Sequence, residues 1–378
     1  DCLDAIAFDM GGTTAKASII EGGHLTITSE YEFRDGMSTP SRFIKGGGYM
    51  LKVPAIDIAE VGAGGGSIAW IDEGGLLQVG PISAGAEPGP ACYALGNERP
   101  TVTDANVVLG VLNPNSLAGG SLSIDAKCSM KAIDRHIADP LGLSRVEAAA
   151  GVRQIINVAM ARAIRSVTVE RGRDPRDMTL FAFGGSGPAH AVDVAVLLGI
   201  TKVIVPVMSG VFSAVGMLGA DVEHNFVQNL FRGLDQLETV EVVDVIQHLR
   251  HEGALRLYND GFDQSHFDMR FSADMHYLGQ SSELTVGFDP IEIERKGLGF
   301  LSAAFHAAYL ETYGYQNNEP VELVNIRLSA LGVRQHRVAF AEGNAGLDAR
   351  EATGAMREVW FESSRQVMSA MIYPRSVV

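Results

Sequence analysis

An apolar strand running through Ala5-Ile-Ala-Phe-Asp9 into Met10-Gly11-Gly12-Thr13-Thr14 is followed by a second strand, Ala15-Lys-Ala-Ser-Ile-Ile20, where many glycine loops would be followed by a helix. This succession constrains the fold more than any other feature of the chain. In a dinucleotide-binding unit or a P-loop, the glycine turn opens a helix whose N-terminus faces phosphate. A glycine loop between two strands excludes both, and no Lys-Ser or Lys-Thr pair closes this one. The turn Glu21-Gly22-Gly23 and the alternating segment Leu25 to Phe33 continue the β pattern. The loop therefore reads as a β-hairpin bend. Glycines at 11 and 12 let backbone N–H groups approach phosphate oxygens, the hydroxyls of Thr13 and Thr14 can add to them, and the Asp9 carboxylate suits Mg²⁺.

A hairpin bent around phosphate belongs to the actin, sugar-kinase and heat-shock ATPase type of site, which takes two such hairpins, one from each half of a pseudo-twofold structure. Only one Asp-x-Gly-Gly-Thr occurs here. The chain also begins at Asp1 without methionine and stops at Ile372-Tyr-Pro-Arg-Ser-Val-Val378 without a polar tail, which reads as a piece of a longer polypeptide carrying half of a site. With 378 residues, 46% of them hydrophobic, it has the material for two to three domains. A net charge of −15 gives no basic face for nucleic acid or an anionic membrane. No run approaches the ~20 apolar residues of a membrane span. Three scattered cysteines lack paired metal spacing, so a reduced, cytoplasmic setting is expected.

Further along, the strand Ala55 to Val61 meets Gly62-Ala-Gly64-Gly65-Gly66-Ser67, either a bulged hairpin turn or, with Glu60 beside it, an anion-binding loop; we take Gly64, Gly65 and Gly66 as ligand-facing. Asp104 stands where an N-cap belongs, before a helix from Ala105 to Leu112; capping accounts for it, while a position facing ligand would make it a second carboxylate for metal or proton transfer. Ser144-Arg-Val-Glu147 is a capping box opening a long core helix. A second glycine junction, Phe183-Gly184-Gly185-Ser186-Gly187-Pro188, leads into a helix from Ala189 to Leu198 that carries His190, read as a structural contact. Cys92, in a Pro-Gly loop, reads as a buried structural thiol. Beyond Asp235 the composition changes to a smaller α/β domain, dividing the chain into 1–234 and 235–378.

Several runs occur in a fixed order: Asp9-Met-Gly-Gly-Thr-Thr, Val61-Gly-Ala-Gly-Gly-Gly-Ser-Ile-Ala, Val79-Gly-Pro-Ile-Ser-Ala-Gly-Ala-Glu-Pro-Gly-Pro-Ala-Cys-Tyr93, Pro100-Thr-Val-Thr-Asp-Ala-Asn106, Arg171-Gly-Arg-Asp-Pro-Arg-Asp177 and Phe183-Gly-Gly-Ser-Gly-Pro-Ala-His-Ala191. Together they resemble the hydantoinase A / 5-oxoprolinase / acetone carboxylase family over nearly the whole chain. Tyr277-Leu-Gly-Gln-Ser-Ser-Glu-Leu284, Tyr313-Gly-Tyr315 and Val321-Glu-Leu-Val-Asn-Ile-Arg327 agree. The resemblance implies an α/β protein with a partial actin-like (ribonuclease H-like) ATPase fold and a smaller C-terminal domain. It implies ATP and Mg²⁺ as cofactors, a cyclic amide such as a hydantoin, 5-oxoproline or a lactam as substrate, and oligomeric assembly with a B-type subunit, separate or fused. Asp9 to Thr14 would be one phosphate hairpin, with Asp9 on the metal, and Gly184, Gly185, Ser186 and Gly187 the adenosine loop. Family members commonly continue the hairpin with Thr-Asp; here Ala15-Lys16 stands instead, making Lys16 a candidate phosphate contact. Phosphorylating a ring amide oxygen creates a leaving group and drives ring opening, chemistry that needs positioning and charge neutralisation rather than a Ser-His-Asp nucleophile. The rival readings are a ketone carboxylase subunit, marked by bicarbonate dependence, and a non-catalytic actin-like nucleotide switch.

Overall fold

The computed structural model describes residues 3–28, 31–33, 49–51, 55–334 and 355–373. The expected strand from Leu25 to Phe33 lies partly, and the chain end after Tyr373 wholly, outside these. Contacts divide the chain into two compact units, residues 1–215 with 341–378 and residues 216–340, each with its own apolar core.

The first unit is built on a mixed sheet. Strands β1 (Ala5–Met10) and β2 (Ala15–Glu21) form the expected hairpin, and β2 pairs antiparallel with β3 (Ile58–Val61). Two further strands, Ser67–Ile71 and Leu77–Ser83, form a separate hairpin. Helix α1 (Val102–Val108) precedes the long helix α2 (Arg145–Val167), then β4 (Thr179–Phe183), helix α3 (Gly187–Leu198) and the short β5 (Val203–Ile204). The sheet order is β5-β4-β1-β2-β3, with β5, β4 and β1 mutually parallel and a short strand, His24–Leu25, also pairing β2.

Alternation decides which sheet face is covered. Ile6, Phe8 and Met10 of β1 sit opposite Ile19, Ala17 and Ala15 of β2, and all six are buried. Helix α2 contributes Val152, Ile156, Met160 and Ile164 to this core at helical spacing. It opens with the expected capping box, Ser144 with Glu147. The opposite face carries Asp9, Lys16 and Glu60 in one cross-strand row.

In the second unit, β6 (Val222–Gly233), helix α4 (Thr239–Asn259), β7 (Phe267–Tyr277), β8 (Leu284–Phe288), helix α5 (Gly299–Tyr313) and β9 (Val321–Gly332) follow in order. They make an antiparallel sheet of order β6-β9-β7-β8. Phe271, Ala273, Met275 and Tyr277 of β7 pack with Ile246, Leu249 and Leu257 of α4 and Leu301 and Phe305 of α5.

The structure draws the division between units differently from the 234/235 expectation, after Val215. The reason is β6, which pairs along most of its length with β9 and so joins the second sheet. The strand pair expected from Val321 is one long strand in this sheet. The hairpin Ala355–Phe361/Gln366–Ile372 belongs to the first unit, where Trp360 donates its backbone N–H to Leu109 O at 2.9 Å and packs on the core.

Candidate functional site

Strands β1, β3 and β4 run in the same direction, so the loops that follow them leave the first sheet at one edge, outside the carboxyl ends of the strands. Those loops are Gly11–Thr14, Gly62–Gly66 and Gly184–Gly187. Open α/β sheets place ligands at such an edge. Three glycine loops far apart in sequence are therefore brought together by topology alone.

Their contacts are close and specific. Gly65 donates its N–H to Gly11 O at 3.0 Å and Gly66 to Gly12 O at 2.6 Å. Gly11 closes the bend on Thr14 O at 3.0 Å, and Ser186 N–H reaches Met10 O at 2.9 Å. A Cβ on Gly64 would lie 2.5 Å from the Gly12 carbonyl and Thr13 nitrogen, and one on Gly65 would lie 2.6 Å from Ser186 Oγ. Gly184, at φ +84°, could not carry a Cβ without driving it into the Asp9 carboxylate and the Met10 carbonyl.

The triglycine loop thus acts differently from the ligand-facing role read in sequence. Gly64, Gly65 and Gly66 are buried, and their three N–H groups go to Ser67 Oγ (2.9 Å), Gly11 O and Gly12 O. They shape the bend from behind. Gly12, Thr13 and Gly185 are the exposed residues, and the N–H groups of Gly12 and Thr13 make no backbone hydrogen bond among the described residues.

Asp9 is half-buried at the end of β1, and Ser213 Oγ donates to its Oδ2 at 2.9 Å. Ser213 had no signal in the sequence, lying 204 residues away outside any motif. Lys16 pairs across the hairpin with Asp9 in register, while its Nζ stands 3.7 Å from Glu60. Among the described residues no group of three or more His, Cys, Asp or Glu could hold a metal by itself. A single carboxylate still fits Mg²⁺, which commonly takes one or two carboxylates, substrate phosphates and water.

The reading of Asp104 as a second reactive carboxylate does not hold. It is fully buried and accepts five hydrogen bonds: Oδ1 from Cys92 N–H (2.8 Å) and Ser129 Oγ (2.6 Å), Oδ2 from Ala91 N–H (2.9 Å), Thr101 N–H (2.9 Å) and Thr101 Oγ1 (2.8 Å). Nor is it the N-cap. Thr101 holds that place, α1 starts at Val102, and Asp104 is the N3 member of a capping box. With α1 so anchored, Thr103 N–H and Oγ1 both reach Gly65 O, at 2.8 and 2.9 Å.

His190 is structural, as read. Its ring is fully buried, with Nδ1 2.6 Å from Asn157 Oδ1 and Nε2 2.9 Å from Asn106 Nδ2. Arg153 completes the network, donating to Asn106 Oδ1 (2.6 Å), Ala189 O (2.6 Å) and Asp193 (2.9 Å), which ties α1, α2 and α3 together. Burial, then the Arg153 charge, holds the His190 pKa well below its ordinary value. Burial, then the Asp104 charge, pushes the Cys92 thiol far up, which keeps it protonated and unreactive.

A hydantoinase/oxoprolinase family profile matches residues 2–226. The chain belongs to that family. Within it, the chain is 36% identical to the caprolactamase subunit alpha of Pseudomonas jessenii over 332 residues, covering 87% of this chain and 46% of that protein. It is 36% identical to the acetophenone carboxylase gamma subunit of Aromatoleum aromaticum over 286 residues, covering 73% of this chain and 37% of that protein. The chain spans less than half the length of these relatives. A nucleotide-free acetone carboxylase structure superposes with a TM-score of 0.79 over all of this chain and 53% of that one, at 24% identity, showing a shared fold. No helix among the described residues is long and apolar enough to cross a membrane.

Proposed function

We propose that this chain is the A-type part of an ATP-dependent cyclic amide hydrolase, carrying one half of an actin-like nucleotide site. The convergence of three glycine loops around Asp9 at one sheet edge carries the reading. The strand order β5-β4-β1-β2-β3, three parallel strands continued by an antiparallel pair, supports an actin-like, ribonuclease H-like half. On this reading Gly12 and Thr13 offer N–H groups to phosphate, Gly184–Gly187 covers the adenosine, and Lys16 exchanges Glu60 for a phosphate oxygen. Asp9 would hold Mg²⁺, bringing charge neutralisation to the phosphates.

The amide oxygen attacks the γ-phosphorus and ADP leaves. Water then adds to the activated carbon, the ring C–N bond breaks, and a second water releases phosphate. The family supports the ring classes, and relatives named as subunits support a partner subunit, for which we take the B-type. The ketone carboxylase reading stands second, favoured by the acetophenone carboxylase relative, though the caprolactamase match covers more of this chain.

The deciding experiment measures ADP release by the full-length protein with its B-type subunit across hydantoin, 5-oxoproline, caprolactam and acetone, each with and without bicarbonate. Stimulation by a ring amide without bicarbonate is expected. Stimulation by acetone only with bicarbonate moves the protein to the carboxylases, and slow hydrolysis indifferent to every compound makes it a switch.

A further inference from the structure

We infer that the face of the second unit's sheet that carries Asp274 and His276 holds a recognition site for a planar ring bearing adjacent N–H and C=O groups, with Phe231 as its aromatic wall and His276 with Glu322 as its polar edge. This rests on the hydrolase reading, for which it names where the ring is recognised.

Three observations meet at one place. First, β6 carries a bulge between Asn229 and Arg232, and within it Phe231 adopts φ +48°. A bulky L-residue is disfavoured there, and Phe231 is also 58% exposed. Neither backbone preference nor burial accounts for a phenylalanine at this position, where glycine would relieve the strain.

Second, the ring lies beside His276, with centroids 6.2 Å apart and planes tilted by 51°. His276 is only 6% exposed, and neither of its nitrogens has a hydrogen-bond partner among the described residues. Glu322 Oε2 stands 3.1 Å from Nε2 but out of line for a hydrogen bond. Buried imidazole nitrogens are ordinarily satisfied.

Third, the neighbouring polar row is already complete. Asp274 accepts from Thr285 Oγ1 (2.7 Å), Asn325 Nδ2 (2.8 Å) and Arg327 Nε (2.6 Å), and Asn229 Nδ2 donates to Asn325 Oδ1 at 3.1 Å. That row forms a fixed floor, leaving unspent hydrogen-bonding capacity at His276. An imidazole with two unpartnered ring nitrogens, beside a carboxylate and next to an exposed aromatic ring, complements the edge and the plane of a cyclic amide.

The test uses the full-length protein with its B-type subunit and the ring that stimulates ADP release best. Phe231→Gly is expected to raise the KM for the ring at least tenfold while Tm stays equal or rises, since glycine accepts φ +48°. Phe231→Tyr restores KM, and His276→Gln raises it. An unchanged KM in Phe231→Gly, or a lowered Tm with KM intact, overturns the site and makes Phe231 a packing residue. If no ring stimulates the wild type, the hydrolase reading fails, and imidazole NMR decides the site separately. A hydantoin-induced shift of the resonance lost in His276→Gln supports it, and its absence rejects it.

Discussion

Asp9 and Asp104 both read in sequence as candidate reactive carboxylates, yet their surroundings give them opposite work. Every acceptor direction of Asp104 is taken by the turn at Ala91–Cys92, by Thr101 and by Ser129, whereas Asp9 is half-buried and, among the described residues, its carboxylate accepts one hydrogen bond, from Ser213. Asp104→Asn should therefore lower stability by about 3 kcal/mol, because an amide nitrogen would face donors in a buried site. Urea unfolding reads this directly. Asp9→Ala should leave the urea midpoint nearly unchanged and abolish ADP release in the intact protein. His190 sets a pH dependence. Its folded pKa lies well below the unfolded value of about 6.5, so the unfolded chain takes up a proton first as pH falls. Its stabilising contribution is complete above pH ~6.5 and declines below it, by up to about 1.4 kcal/mol per pH unit. Unfolding curves at pH 7, 6 and 5 should show this slope, and His190→Gln should flatten it by one proton's worth.

Among the elements, what repeats locally was legible and what depends on long-range contact was not. The hairpin β1–β2, the capping box of α2 and helix α5 follow from alternation, spacing and turn residues. Helix α1 begins three residues earlier than read, because its cap is Thr101 and Asp104 mimics one. The glycine motifs were all visible, but their division of labour was not. Nothing in the letters Gly64-Gly65-Gly66 tells that two of their N–H groups point to the carbonyls of another loop and the third to Ser67 Oγ, and not to a ligand. The physical reason for glycine differs accordingly: closeness of two backbones at Gly64, a left-handed φ at Gly184. Gly64→Ala must displace the Gly12–Thr13 peptide, so nucleotide affinity of the full-length protein should fall at least tenfold, about 1.4 kcal/mol, by calorimetry. An affinity within twofold of wild type would detach the triglycine loop from the site.

At the scale of the whole molecule, two cores imply two stabilities. Phe305, fully buried among Tyr277 and Tyr309, anchors the second, and its truncation to alanine should cost about 3–5 kcal/mol there. Hydrogen exchange should accelerate in β7 and β9 of that variant while β1 and β4 keep their protection. The membership of β6 in the second sheet, and of the hairpin at 355–372 in the first unit, escaped sequence reading because partners so far away in the chain, such as Val222 and Gly332 or Leu109 and Trp360, leave no periodic trace. One feature of the first unit reaches further. The carbonyls of Gly11 and Gly12 are held from behind by the triglycine loop, so the bend is already shaped before any phosphate arrives. A ligand entering it forfeits little chain freedom, and association with this half should be enthalpy-led, show only a small change in heat capacity, and proceed without a slow isomerisation step.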